Sequence, residues 1–266
     1  MTTINSITKY LSKKFPPKKA EPWDKIGLIS SSLRQNVTSI LIALDLTTEV
    51  FDLAVKQKCE LIIVHHPFLF EKTNLQDFKN APYKKELYKR IINSNIGIFI
   101  LHTNYDINKD GTTAQLMETL NLKNWKFLSN SSYGGLVETK LNFEQVVNLI
   151  KEKLQITNFQ TNFDFTKKIA FNKIAFLPGA GSSKDIINAH KDGASIIFTS
   201  DIKWSTWITA QQHKIKLVNY SHSVENVFVK HLHNLMIKKF PKINVYTYKV
   251  LINNYLIGFK KENYYD

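Results

Sequence analysis

Residues 3–15 place Ile4, Ile7, Tyr10, Leu11 and Phe15 at helical spacing, and Pro16-Pro17 ends the helix that this spacing predicts. From residue 39 the pattern changes to short apolar runs without alternation: Ser39–Leu44, Leu61–Val64 and Ile96–Leu101. Such runs, rich in Ile and Val, suit strands buried on both faces of a sheet. Between them lie segments of helical character. One runs from Thr47 or Thr48, either of which can cap it, to about Lys58, and another from Pro82 to about Ser94. A further helix is expected over Thr112–Leu120. Strand alternating with helix predicts a parallel sheet with helices on its faces.

The grammar restarts in the second half. Tyr133–Thr139 reads as a strand, and Asn142–Leu154 as a helix with Phe143, Val146, Val147 and Ile150 on one face. Residues 155–170 are polar and aromatic without a period and predict no element. Strands then follow at Lys173–Leu177, Ala194–Thr199 and Lys216–Asn219. A helix after the small-residue turn Pro178–Ser183 and another over Trp204–Gln212 separate them. A helix reaching Phe240 and a strand over Val245–Val250 close the pattern. The length, 266 residues, suits one large α/β domain or two smaller ones.

Composition narrows the function classes. Net charge is +14 and the pI is near 9.6, which invites an anionic substrate or nucleic acid as partner. The basic residues are spread, however, in short groups such as Lys13-Lys14, Lys84-Lys85 and Lys238-Lys239 on what should be solvated helix faces. Cys59 is the sole cysteine, so an intrachain disulfide and a cysteine-rich zinc site are both excluded, as expected in a reducing, cytoplasmic setting. Residues 1–11 lack the apolar core of a signal peptide, and no apolar run approaches membrane-spanning length.

The candidate chemistry gathers where strands end. Leu61–Val64 runs straight into His65-His66-Pro67, and Pro67 cannot donate to a sheet ladder. Open α/β sheets place their ligands at such C-terminal strand ends. Adjacent residues on a strand point to opposite faces, so this pair suits one ion each better than joint chelation; two polar residues closing a strand is the plainer alternative. The run ending at Leu101 also passes into polar residues, His102-Thr103-Asn104-Tyr105-Asp106. His222 and Glu225, three apart, share a face if a helix has begun there. His65, His66, Asp106, His222 and Glu225 are thus the candidate metal ligands. Imidazole and carboxylate donors without thiolate suit zinc, iron, manganese or cobalt. His102 is either a residue that orients a ligand or a plain strand-end histidine. His190, His213, His231 and His233 read as surface or core residues. In Glu21-Pro22-Trp23-Asp24, a core-capping tryptophan is the plainer reading. The Gly179–Ser183 turn reads either as a weak phosphate loop or as a tight strand-to-helix turn.

In order along the chain stand Glu21-Pro22-Trp23-Asp24 with Gly27-Leu28, Val64-His65-His66-Pro67, His102 to Asp106, Gly179-Ala180-Gly181-Ser182, Thr199-Ser200-Asp201-Ile202-Lys203 and His222 with Glu225. This ordered set resembles the Nif-three-like family, whose members are often named GTP cyclohydrolase 1 type 2 homologues, and it spans essentially the whole chain. The resemblance implies an α/β fold of two intertwined domains with mixed, mostly parallel sheets and a metal site in the cleft between them. The first domain would comprise 1–125 plus 226–266 and the second 126–225. It implies two divalent ions per subunit (zinc, iron or manganese) on His65, His66, Asp106, His222 and Glu225, with Glu225 bridging. It also implies a toroidal homohexamer. His102 and Asp201 are the candidates for orienting a ligand or moving a proton. Lys25, Thr113, Ala114, Ser205 and Ser221 depart from the family pattern and bear on the substrate pocket, not on the ligand set. The expected function is a metal-dependent hydrolase of a small, nucleotide-like, anionic substrate. The alternatives are a non-catalytic metal-binding or adaptor protein and a nucleic-acid-binding ring.

Overall fold

The computed structural model of the chain describes residues 1–30, 36–129, 131–165 and 171–249. In chain order the first elements are α1 (Ile4–Lys14), β1 (Gly27–Ser30), β2 (Ser39–Ala43), α2 (Thr48–Lys56), β3 (Leu61–Val64), α3 (Asn74–Asn80), α4 (Tyr83–Ile92), β4 (Gly97–Ile100), α5 (Thr103–Asp106) and α6 (Thr112–Thr119). There follow β5 (Trp125–Leu128), β6 (Ser131–Glu138), α7 (Phe143–Leu154), β7 (Gln160–Thr161), β8 (Lys173–Ala180), α8 (Ser183–Lys191), β9 (Ile196–Ser200), α9 (Trp204–Gln212) and β10 (Lys216–Asn219). A 3-10 helix over His222–Asn226, α10 (Val227–Lys239) and β11 (Asn244–Tyr248) complete them.

The strands form two mixed sheets, and the fold is mixed α/β. The first sheet is ordered β1-β4-β3-β2-β11. Its strands are parallel from β4 to β11, and β1 is antiparallel at the edge. The second is ordered β5-β6-β8-β9-β10-β7, with parallel pairing confined to β8, β9 and β10. β5, β6 and β7 join it antiparallel.

Both sheets are covered on both faces, which explains the apolar runs. On one face of the first sheet, Ile7 and Leu11 of α1 and Phe228 and Leu232 of α10 pack against Ile40, Ile42 and Ile63. On the other, Val50 and Phe51 of α2 and Leu87 and Ile91 of α4 pack against Leu41, Ile62 and Val64. Successive residues of β2 and β3 therefore enter different cores, and every position from Ile40 to Ala43 and from Leu61 to Val64 is apolar. The second sheet repeats this arrangement. α6 and α7 lie over Ile174, Phe176 and Phe198, and α8 and α9 over Ala175, Leu177 and Ile197.

The helix ends follow the expected chemistry. The Thr47 hydroxyl caps α2, and Asn142 and Ser182 head capping boxes on α7 and α8. β1, α3, α5, β5 and β7 were not legible from the pattern. The helix expected from His222 to Phe240 is instead a 3-10 turn followed by α10. The final strand is Asn244–Tyr248; Val250, where the pattern ended it, lies outside the described residues, as do 166–170 of the unreadable stretch. Cys59 is buried, and burial with the nearby Glu60 charge pushes its thiol up to about 12. Among the described residues no helix is long and apolar enough to cross a membrane.

The topology sets two rows of strand ends against each other. β2, β3 and β4, which are neighbours, end in Asp45, His65-His66 and His102. β8, β9 and β10 lead to Gly179, Asp201 and His222. Asp45, His66 and His102 from one row and Gly179 and His222 from the other line one cleft of about 1070 Å³.

Candidate metal centre

β3 stops at Val64, and the backbone N–H groups of His65 and His66 both donate to the Leu44 carbonyl, at 3.1 and 3.0 Å. The strand has therefore turned before the two histidines diverge, and their rings lie 4.9 Å apart. His65 is fully buried. Its Nδ1–H donates to the Leu101 carbonyl at 2.8 Å, which leaves the Nε2 lone pair facing inward. That Nε2 lies 3.4 Å from Asp106 Oδ1 and 3.7 Å from Glu225 Oε2 and has no hydrogen-bond partner. A buried imidazole lone pair aimed at two carboxylates is a polar arrangement that a cation satisfies and that the protein's own groups do not.

His66 Nε2 and His222 Nε2 each lie 2.9 Å from Glu225 Oε2. The 3-10 turn explains why His222 and Glu225 meet. At three residues per turn, positions i and i+3 eclipse, so the two side chains stand on one side more directly than on an α-helix. The other nitrogen of each ring is held by an acid, His66 Nδ1 by Asp45 at 2.7 Å and His222 Nδ1 by Asp201 at 2.5 Å. Asp201 reaches this position with φ +48°, a left-handed conformation that Asp tolerates better than most residues.

Three sets of side chains bring their donor atoms within 4.8 Å of one another: His65 with Asp106 and Glu225, His66 with His222 and Glu225, and His65 with His66 and His102. Glu225 belongs to two of the sets. All five expected ligands thus converge, and His102 joins them. Its Nδ1 lies 2.9 Å from Asp24 Oδ1, and Asp24 also accepts from the Thr103 N–H at 2.9 Å and from the Thr103 hydroxyl. Burial works against the Asp24 carboxylate, yet His102 and Thr103 hold its pKa below the ordinary value.

The electrostatics divide the site. Burial drives His65 well below the usual histidine range, so it stays neutral. Burial also opposes protonation of His66 and His222. The facing carboxylates win, Asp45 and Glu225 raising His66 to about 10 and Glu225 and Asp201 raising His222 to about 9. Glu225 is ionised: burial favours its neutral form, but the surrounding histidines hold its pKa well down. Asp106 moves the other way. Burial and the Glu225 charge push it well above the carboxylate range, opposed by the Thr112 hydroxyl that donates to it.

The remaining motifs fall around the centre. Tyr133 on β6 donates to Glu21 Oε1 at 2.8 Å, which ties the loop before β1 to the second sheet. Trp23 is not a core cap: it is 58% exposed at the cleft mouth, beside Phe70. Gly179, near the irregular end of β8 rather than in a turn after it, permits a close approach. Gly179 has φ +77°, and a β-carbon there would stand 2.6 Å from Glu225 Oε1.

The family model for Duf34/NIF3 (NGG1p interacting factor 3) matches residues 2–254. The chain belongs to the DUF34/NIF3 family. A "GTP cyclohydrolase 1 type 2 homolog" of Mycoplasmopsis pulmonis is 36% identical over 258 residues, covering 93% of this chain and all 100% of that one. One from Ureaplasma parvum is 30% identical over 236 residues, 87% of this chain and 88% of the relative. Among solved structures, a Bacillus cereus protein related to NIF3 shares the fold with a TM-score of 0.85 at 17% identity, covering 97% of this chain and 99% of that one. Reduced HcgD from Methanocaldococcus jannaschii has a TM-score of 0.76 at 25% identity, covering 92% and 97%.

The five residues expected to depart from the family pattern are none of the candidate ligands. Lys25 donates from Nζ to the Glu71 carbonyl. Thr113 and Ala114 lie in α6 and Ser205 in α9. Ser221 caps the 3-10 turn, accepting from the Ser223 N–H at 3.2 Å, and so fixes the segment that carries His222 and Glu225. The residue that sequence reasoning missed is Asp45. Asp45 had a signal, since it follows a strand run just as His65 and His102 do.

Proposed function

We propose that this chain is a dinuclear metal-dependent hydrolase of a small molecule. The observation that carries the reading is Glu225, whose carboxylate is shared by two three-residue donor sets, one of which contains the unpartnered Nε2 of buried His65. The donor set is imidazole and carboxylate, which fits zinc, iron or manganese. His65, Asp106 and Glu225 would hold one ion and His66, His222 and Glu225 the other. A pair of such ions supplies Lewis acidity and lowers the pKa of water, the two requirements of a hydrolytic step.

The chain's own residues do the rest. The Leu101 carbonyl, Asp45 and Asp201 fix the rings of His65, His66 and His222, so that each presents Nε2 to the centre. The Thr112 hydroxyl orients Asp106. The Asp24–His102 pair, with the imidazole beside His65 and His66, is placed to take up a proton from the reacting water or deliver one to the leaving group. Tyr133 of β6 in the second sheet and Phe68 of the loop after β3 both line the cleft. Trp204, 78% exposed, and Ile208 stand one turn apart on α9 and offer an apolar face for self-association, which belongs to the same reading.

Chelation tests the proposal. Stripping divalent ions from the native protein is expected to abolish turnover in a screen of small amides and heterocycles while the far-ultraviolet circular dichroism is kept, and refilling is expected to restore it. Turnover that survives chelation contradicts the hydrolase reading. A chelated protein that loses only thermal stability, with no turnover in either state, supports the non-catalytic metal protein instead.

A further inference from the structure

Trp23 and Phe70 stand side by side at the mouth of the cleft, with ring centroids 6.2 Å apart and planes tilted by 30°. His102 stands edge-on to both, at 6.0 Å and 72° from Trp23 and at 5.9 Å and 75° from Phe70. The two rings are 58% and 50% exposed, so each keeps a large apolar face in water beside the candidate metal centre. Exposed aromatic faces of this kind are stacking surfaces for flat rings. His102 is also the residue that connects them to the centre, since its ring nitrogen lies within 4.8 Å of those of His65 and His66. A flat ring stacked on Trp23 and Phe70 would therefore lie beside His102, next to the candidate metal centre.

The side chains that line the cleft offer no uncommitted cation to a phosphate tail. Glu21, Asp45, Asp106, Asp185 and Glu225 line it, His66 and His222 are each paired with carboxylates, and Lys84 is the single lysine. That ammonium is already committed to Asp77 at 3.3 Å. The glycine turn does not act as a phosphate loop. The Gly181 N–H donates to Thr199 Oγ1 at 2.8 Å and the Ser182 N–H to Asp185 Oδ2 at 2.9 Å. Asp185 moreover sets a carboxylate in the first turn of α8, where an anion would otherwise bind. The net charge of +14 is thus carried elsewhere on the chain and not by this cleft. Its walls offer acceptors, which suit amino and amide N–H groups.

We propose that the substrate is an uncharged, flat nitrogen heterocycle, free or as a nucleoside and without a phosphate tail, recognised by stacking on Trp23 and Phe70 with its edge at His102. The proposal deepens the hydrolase reading and rests on it for the ring's being substrate. It replaces the small anionic substrate expected from net charge.

Intrinsic fluorescence of the full chain tests it, with guanosine, adenosine, cytidine and neopterin as probes and GTP and ribose as contrasts. In metal-stripped protein at least one of the four heterocycles is expected to quench saturably, ribose not at all, and GTP no more tightly than guanosine. Trp23→Leu is expected to weaken the best probe, followed by calorimetry, about tenfold or more. Trp23→Phe is expected to stay within a few-fold of wild type, both variants keeping the wild-type melting temperature. No saturable binding of any heterocycle, unchanged affinity in Trp23→Leu, or GTP binding at least tenfold tighter than guanosine overturns the proposal. Because the stripped protein is used, binding without turnover after refilling rejects the hydrolase reading alone and leaves the stacking site standing.

Discussion

The α-carbon of Gly179 lies so near the Glu225 carboxylate that any β-carbon at 179 would stand 2.6 Å from Oε1. The second sheet thereby braces, by close backbone approach, the one carboxylate shared between both candidate ion positions. Gly179→Ala introduces this clash and also forces alanine into φ +77°, which costs about 1–2 kcal/mol. The variant is expected to fold with a slightly lower melting temperature and to lose most of its bound metal. Elemental analysis alongside circular dichroism checks both. Full metal content in a folded Gly179→Ala protein contradicts the bracing role.

Asp45 and Asp201 should act on one ion only. They hold His66 and His222, which face Glu225 together, while His65 is held by a backbone carbonyl. Asp45→Asn is expected to weaken the ion at His66 and His222 roughly 10- to 100-fold and to leave the ion at His65 and Asp106 in place. Competition with a chromogenic chelator resolves the two affinities, and equal weakening of both argues against two separate sets.

Metal uptake should release protons. Without ions, His66 (about 10) and His222 (about 9) are both protonated at pH 7, and an ion takes only the neutral imidazole. Loading is therefore expected to release about two protons per subunit or more, and affinity at that position to rise roughly a hundredfold per pH unit up to about pH 9. A pH indicator in weak buffer measures the first and titrations at several pH values the second. Proton-neutral, pH-independent binding contradicts the assignment.

His231 gives a stability prediction independent of the ions. Burial and the Lys14 charge push it down to about 4, and it hydrogen-bonds the Tyr105 hydroxyl at 2.8 Å. Its folded pKa lies below the unfolded value near 6.5, so the unfolded chain binds the extra proton in between. The contribution is complete above pH 6.5 and is lost as pH falls toward 4, by roughly 1–2 kcal/mol once partial exposure is discounted. Denaturant melts of wild type and His231→Phe over this range are expected to converge at acid pH.

Much of this was legible in the sequence for identifiable reasons. β2, β3, β4, β8 and β9 could be read because two-sided burial removes alternation and leaves bare apolar runs. β1 hides behind Pro22 and Trp23, and β7 pairs only through Gln160 and Thr161, too short for a period. His65 and His66 stood out because they end an apolar run, Asp106 because it closes the polar stretch after another, and His222 and Glu225 because they are three apart. Asp45 did not. Asp45 looks like the lead-in to the Thr47 cap until β2 and β3 are known to be neighbours. Gly179 stood in the motif set, but what it makes room for is visible only once Glu225, distant in sequence, is seen to rest against it.

The most direct test of the shared carboxylate is metal content per subunit in native wild type, His66→Ala and Glu225→Ala, each reconstituted with zinc, iron or manganese. The account predicts about two ions in wild type, about one in His66→Ala and close to none in Glu225→Ala, with all three proteins folded. A wild type that takes up no ion, or a Glu225→Ala protein that keeps both, contradicts it.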